Sequence, residues 1–124
     1  MGGLIMPLKL KVKLKGKETT YTRTETPMLE NLMDALKVQR QETEMYSNPE
    51  QGPTDAQNDR RIKLLAEFAA RFWGNGLTQD DVLKGCASID GLNQIEEGVA
   101  ATLGLTVSYD DEAKPEVKGK APKK

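Results

Sequence analysis

The chain has 124 residues, 37% apolar and 30% charged, with a formal net charge of −1. A chain this short makes one domain and buries only about two-thirds of its unfolded surface, so its core is modest. Near-neutral charge gives no global field for nucleic acid or anionic lipid; the lack of histidine removes nucleophile–His pairs, His metal ligands and a neutral-pH proton shuttle, and a single cysteine excludes an internal disulfide framework.

Met1 to Met6 is too short for the apolar core of a signal peptide and is followed by lysines instead of a cleavage site. Met6 stands where a myristoylation motif wants Ser or Thr. No apolar run approaches membrane-spanning length. Residues 1–7 read as a flexible N-terminus, and the expected compartment is the cytosol.

Leu8, Leu10, Val12 and Leu14 alternate with Lys9, Lys11, Lys13 and Lys15. Period two puts the aliphatics on one face of a strand and the lysines on the other. Gly16-Lys17 offers a turn, and the Thr-rich run from Thr19 to Thr24 suits a return strand. One hairpin is marginal alone, so its leucine face must pack on helices.

Thr26-Pro27 reads as the cap and first residue of a helix running to about Gln41. Met28, Leu29, Leu32, Met33 and Leu36 make its apolar stripe. Ser47 to Thr54, with Pro49, Gly52 and Pro53, reads as an exposed loop. In the second helix Ile62, Leu65, Ala69 and Phe72 form a seam that Leu64, Phe68 and Trp73 widen, while Lys63, Glu67 and Arg71 alternate in charge on the far side. Gly74-Asn75-Gly76 ends it.

Thr78 caps a short third helix with Asp80 and Asp81 in its first turn and Val82, Leu83 and Cys86 on its inner face. A fourth turns Leu92, Ile95, Val99 and Leu103 inward and stops at Gly104, with Gly98 allowing a close approach. Beyond Tyr109 apolar periodicity ends. The expected fold is mainly α: an N-terminal β-hairpin packed on a bundle of about four helices over residues 8–107, with 108–124 a disordered charged tail.

Few residues suggest chemistry. Asp80/Asp81 and Asp110/Asp111 are adjacent carboxylates with nothing beside them to complete a metal or acid–base site, and helix-start acid and solvated tail account for them. Cys86 reads as a small hydrophobe on a helix. No phosphate loop, Cys-x-x-Cys or nucleophile elbow occurs, so no enzyme, cofactor or metal is expected. The lysine ladder reads as the solvent face of an edge strand, since stacking aromatics or arginines for nucleic acid are missing beside it. A helix-turn-helix around Gly74 would carry Asp80, Asp81, Asp90, Glu96 and Glu97 towards phosphates that repel them.

The remaining class is protein binding. Phe68, Phe72 and Trp73 hold three of the six aromatic residues. Trp73, beside the glycine turn, leaves two readings open, a core ring or a partly exposed interface anchor. The Met28, Leu29, Leu32, Met33, Leu36 stripe reads as core first, with methionines that adapt well to varied partners. Together these eight residues are the candidate partner-binding surface.

The order of elements resembles the tail assembly chaperones of long-tailed, siphovirus-type bacteriophages. Leu32-Met33-Asp34-Ala35-Leu36, the aliphatic–aromatic helix from Ile62 to Trp73, Gly74-Asn75-Gly76, and Leu77-Thr78-Gln79-Asp80-Asp81-Val82-Leu83-Lys84-Gly85 carry the likeness. It covers Lys9 to Gly104 in layout and is distinctive in residues over Leu64 to Gly85. The chain departs at Cys86-Ala87, where such proteins usually have another large aliphatic. The resemblance implies a mainly helical protein of the host cytoplasm, absent from the finished virion, that binds and solubilises the tape measure protein while the tail tube assembles. Implied further partners are the tail tube protein, a frameshifted long form joined near Lys123-Lys124, and a second copy of the chain; nucleic acid and membrane are not among them. Two other readings stay in play: another phage morphogenesis component, such as a head–tail connector or tail terminator, and a small DNA-binding regulator.

Overall fold

The structure, a computed structural model, describes residues 3–105. Six elements follow in order: β1 (Gly3–Leu14), β2 (Lys17–Glu25), α1 (Leu29–Met45), α2 (Asp55–Trp73), α3 (Gln79–Gly85) and α4 (Asp90–Leu103). The expected architecture of a hairpin on four helices is therefore present. The expectation for 108–124, including the Lys123-Lys124 junction, lies outside the described residues.

Lys15 and Gly16 form the hairpin turn, one residue earlier than the sequence pattern suggested, with φ of 52° and 79°. Two successive left-handed residues match the twist of the flanking strands. The ladder pairs Leu14 with Lys17, Val12 with Thr19 and Leu10 with Tyr21. Leu10 and Val12 are completely buried, Leu8 and Leu14 half-buried, and the lysines exposed, as period two requires. β1 also reaches back to Gly3, through an irregularity in pairing between Gly3 and Leu8, so the strand takes in most of the stretch expected to be flexible.

Two helix starts differ from expectation. Thr26 and Pro27 stay outside the helix, and the Thr26 carbonyl accepts from Arg23 Nη2 at 2.7 Å. Met28 precedes α1 instead, its N–H donating to Asn31 Oδ1 at 2.8 Å. α2 starts seven residues before Ile62, where Thr54 and Gln57 form a reciprocal capping box: the Thr54 hydroxyl accepts from the Gln57 N–H at 3.1 Å, and Gln57 Oε1 accepts from the Thr54 N–H at 2.9 Å. The first two turns of α2 are polar, so apolar spacing did not reveal them.

The helices cover one face of the hairpin. α3 and α4 pack on β1, α2 touches β2, and α1 lies against α2 and α4. At the centre Phe68 and Phe72 stack with centroids 5.1 Å apart, and Phe72 meets Trp73 edge-on at 4.8 Å. Gly98 lets α4 settle onto these rings, since a Cβ there would lie 3.1 Å from Phe68, 3.3 Å from Trp73 and 3.5 Å from Phe72. Ile95 and Val99 are buried beside it. Ile62 and Leu83, expected inside, are 43% and 40% exposed. α2 instead turns Arg61 towards α1 and α4, where it pairs with Glu42 and Glu96, and α3 seats Val82 alone.

The Leu77 to Gly85 segment has a physical account at each end. Leu77 and Val82 are buried, and the Thr78 hydroxyl accepts from the Asp81 N–H at 3.0 Å while Asp81 Oδ2 accepts from the Thr78 N–H at 3.1 Å. At Gly85 the helix crosses β1 so closely that a Cβ would lie 2.6 Å from Val12 Cγ1 and 2.7 Å from the Lys13 carbonyl oxygen. Backbone cannot yield there as a flexible side chain would. Gly85→Ala is therefore predicted to destabilise the fold by about 1–3 kcal/mol, the usual range for overpacking, read as a lowered thermal midpoint; an unchanged or raised midpoint would show that α3 does not press on β1.

Candidate functional site

α1 has two faces of unexpected character. Its inner face consists of Asn31, Asp34, Ala35, Val38, Gln41 and Met45, all buried. Three of these six are polar, and each is held by a neighbour. Asp34 pairs with Arg71 at 3.2 Å. Gln41 Oε1 accepts from Arg60 Nε at 3.0 Å, and its Nε2 donates to the Gln57 carbonyl at 3.3 Å. Asn31 spends its oxygen on the start of the helix, which leaves its buried Nδ2 without a partner among the described residues. Burial pushes the Asp34 carboxyl above its ordinary range, and the nearby Arg71 guanidinium opposes that rise.

The outer face holds the apolar stripe. Leu29 is 78% exposed, Met33 62%, Met28 54% and Leu36 47%, with Leu32 half-buried at the margin. At 100° per residue Leu29, Met33 and Leu36 lie within about 60° of one another, opposite Asp34 and Val38. The expectation that this stripe is core is thus corrected: Asp34 and Gln41 pack inward because α2 brings partners for them, Asn31 because it closes the start of its own helix, and the apolar residues are turned out. Glu30, Lys37 and the Arg40–Glu44 pair, 3.5 Å apart, give the stripe a rim of mixed charge.

The other half of the candidate surface goes the opposite way. Phe68 is completely buried, Phe72 1% exposed and Trp73 4%. Of the two readings of Trp73, the core ring is the one found. Its indole N–H donates to the Leu8 carbonyl at 2.9 Å, which satisfies its polar atom and lets the ring close over β1. The structure therefore does not join the eight residues into one surface; the aromatic three are buried, Met28, Leu29, Met33 and Leu36 lie outside, and Leu32 is half-buried between.

Beside the stripe, a groove of about 200 Å³ runs between α1 and α4, lined by Val38, Gln39, Leu65, Val99, Ala100 and Leu103 among others. Gln39 stands one turn beyond Leu36. No spacing rule marked this groove, since its lining comes from three helices.

A second, more polar groove lies where Lys11, Lys13, Lys84, Cys86, Asp90 and Gln94 meet. Burial pushes the Cys86 thiol up from 9.0 to about 11, so it stays protonated at neutral pH. Asp80 pairs with Lys84 at 3.4 Å and Asp81 serves the helix start. Among the described residues no group of three His, Cys, Asp or Glu is placed to hold a metal, and no helix is long and apolar enough to cross a membrane. Cys86 should react with a soluble disulfide reagent at pH 8 about tenfold more slowly than an unperturbed thiol, because its raised pKa leaves about a hundredfold less thiolate and the greater nucleophilicity of a more basic thiolate offsets only part of that loss; reaction at the rate of a free thiol would contradict its burial.

A family model described as phage tail chaperone protein matches residues 6–122. No curated protein and no solved structure matches the chain.

Proposed function

As the chain belongs to the phage tail chaperone proteins, we propose that it acts by holding segments of the tape measure protein before the tail tube encloses them, and that it leaves before the virion is complete. The observation that carries this reading is the outward stripe of Met28, Leu29, Met33 and Leu36, four large apolar side chains within nine residues of one helix. Exposed apolar side chains gathered on one face, rimmed by charge, are what protein-binding surfaces present. A tape measure protein is long, helical and apolar in places, so before burial it needs its apolar seams covered.

An amphipathic helix laid along α1 would set its seam against Leu29, Met33 and Leu36, with the groove between α1 and α4 opening at its flank past Gln39. Methionine suits such a surface, because its unbranched side chain refits to different partner sequences. Phe68, Phe72 and Trp73 are buried against the hairpin and α4 and do not touch the partner. No acid, base or nucleophile is required, since the work is reversible burial.

Paired substitution Leu29→Ala with Met33→Ala is expected to weaken capture of tape measure fragments by about 30-fold, the equivalent of ~2 kcal/mol at an interface hot spot, and to leave the circular dichroism and thermal midpoint unchanged. Trp73→Ala should do the reverse and lower the midpoint, as loss of a buried ring typically costs about 3–5 kcal/mol. Undiminished capture by the folded double variant would place the binding surface elsewhere. Mass spectrometry of purified particles tests the second half: the chain should be missing, whereas a connector or terminator would be retained.

A further inference from the structure

The two edges of the hairpin are treated differently. β1's far edge is covered at Lys11 and Lys13: the Lys11 N–H donates to Gln94 Oε1 at 3.0 Å, and α3 crosses beside Lys13 at Gly85. In an antiparallel ladder, residues directly opposite either exchange both backbone bonds or both turn them outward. Lys11 turns outward, so Thr20 opposite it does too, and by alternation so do Glu18 and Thr22. Among the described residues no group bonds to the outward N–H and C=O of these three.

No proline or covering element among the described residues closes that edge. β2 runs nine residues, Lys17–Glu25, with no proline, and its pairing from Lys17 to Arg23 is regular. Edge strands left this long and straight accept another strand. The helices leave room beside it, because α3 and α4 sit on β1 and Thr19, Tyr21 and Arg23 on β2's inner face are only half-covered.

We propose that β2 is a dimerisation edge, pairing antiparallel with β2 of a second copy about a two-fold axis at Tyr21. The sequence Lys-Glu-Thr-Thr-Tyr-Thr-Arg-Thr-Glu is complementary to its own reverse. In this register Thr20 faces Thr22 of the second copy, the two carry the outward backbone groups that must meet, and Tyr21 faces Tyr21. Lys17 lies opposite Glu25 at both ends, one attractive pair for each copy. A shift of two residues one way sets Lys17 against Arg23, like charge on like; a shift the other way carries Lys17 past the end of the strand. Only the full-length register pairs every residue and every terminal charge. The product is a four-stranded sheet, β1-β2-β2-β1, with both helical layers on one face, and four strands hold where a single hairpin is marginal.

Sedimentation of the full chain over a wide concentration range tests this. The wild type should show a monomer–dimer equilibrium. Thr22→Pro removes one outward N–H that the β1 ladder does not use, a place where an edge strand tolerates proline, and should shift the equilibrium to monomer with the circular dichroism retained. Lys17→Glu and Glu25→Lys place like charges opposite, and each alone should raise the dissociation constant about tenfold; mixed together they should pair with each other at wild-type strength, because Glu then faces Lys at both ends. The mixing arm decides the matter even if the proline variant fails to fold. A chain that stays monomeric at every concentration, as it would if this edge served a strand of another protein, overturns the proposal. So does a dimer that none of the three substitutions weakens.

Discussion

The fold depends on the end of α2. Phe72 and Trp73 are its last two residues, and from them bonds run to both strands. The Trp73 indole reaches the Leu8 carbonyl on β1, and Arg23 on β2 donates to the Phe72 carbonyl at 2.6 Å while its guanidinium lies 4.7 Å over the Phe72 ring. Gly98 admits α4 to the same rings. A two-stranded hairpin holds poorly by itself, and four helices with a modest apolar fraction do little better. The ring cluster joins the two halves, and Gly74, Asn75 and Gly76, all with positive φ, turn the chain sharply enough to bring α3 back across β1.

A second consequence concerns α1. With the aromatic rings committed to the hairpin and α4, α1 adds Ala35 and Val38 to the buried cluster that α2 supplies with Leu65, Ala66 and Ala69. The rest of their contact is polar: Asp34–Arg71, Gln41 with Arg60 and Gln57, and Arg61 with Glu42. Buried ionic and amide pairs add little net stability but are costly to break singly. They fix the rotation of α1 about its axis. That rotation leaves Leu29, Met33 and Leu36 outside, and a chain that only needed to fold would be better served by turning them in. This is the physical ground for assigning the stripe to a partner.

Much of this was legible in the residues. Strict alternation from Leu8 to Leu14 located β1 and its buried face, Thr78 with Asp81 marked the start of α3, and Gly104 marked the end of α4. The rule that failed was the equation of an apolar stripe with the core. Asp34 and Gln41 can be buried because arginines from α2 come to meet them, and contacts 19 and 37 residues away in the chain leave no periodic trace. The burial of Trp73 was hidden for the same reason: its satisfied N–H depends on a carbonyl 65 residues distant. The Thr54–Gln57 box opens a polar stretch that offers no apolar spacing to follow, so Thr54 reads as the end of a loop.

Amide hydrogen exchange of the chain, alone and with a tape measure fragment, tests the central claim most directly. If the outer face of α1 is the binding surface and the rings are core, the amides from Leu29 to Leu36 should slow on binding, while those from Phe68 to Trp73 are already slow and stay so. Protection confined to the lysine face of the hairpin, or faster exchange at Phe72 and Trp73 as the core opens to the partner, would contradict the account.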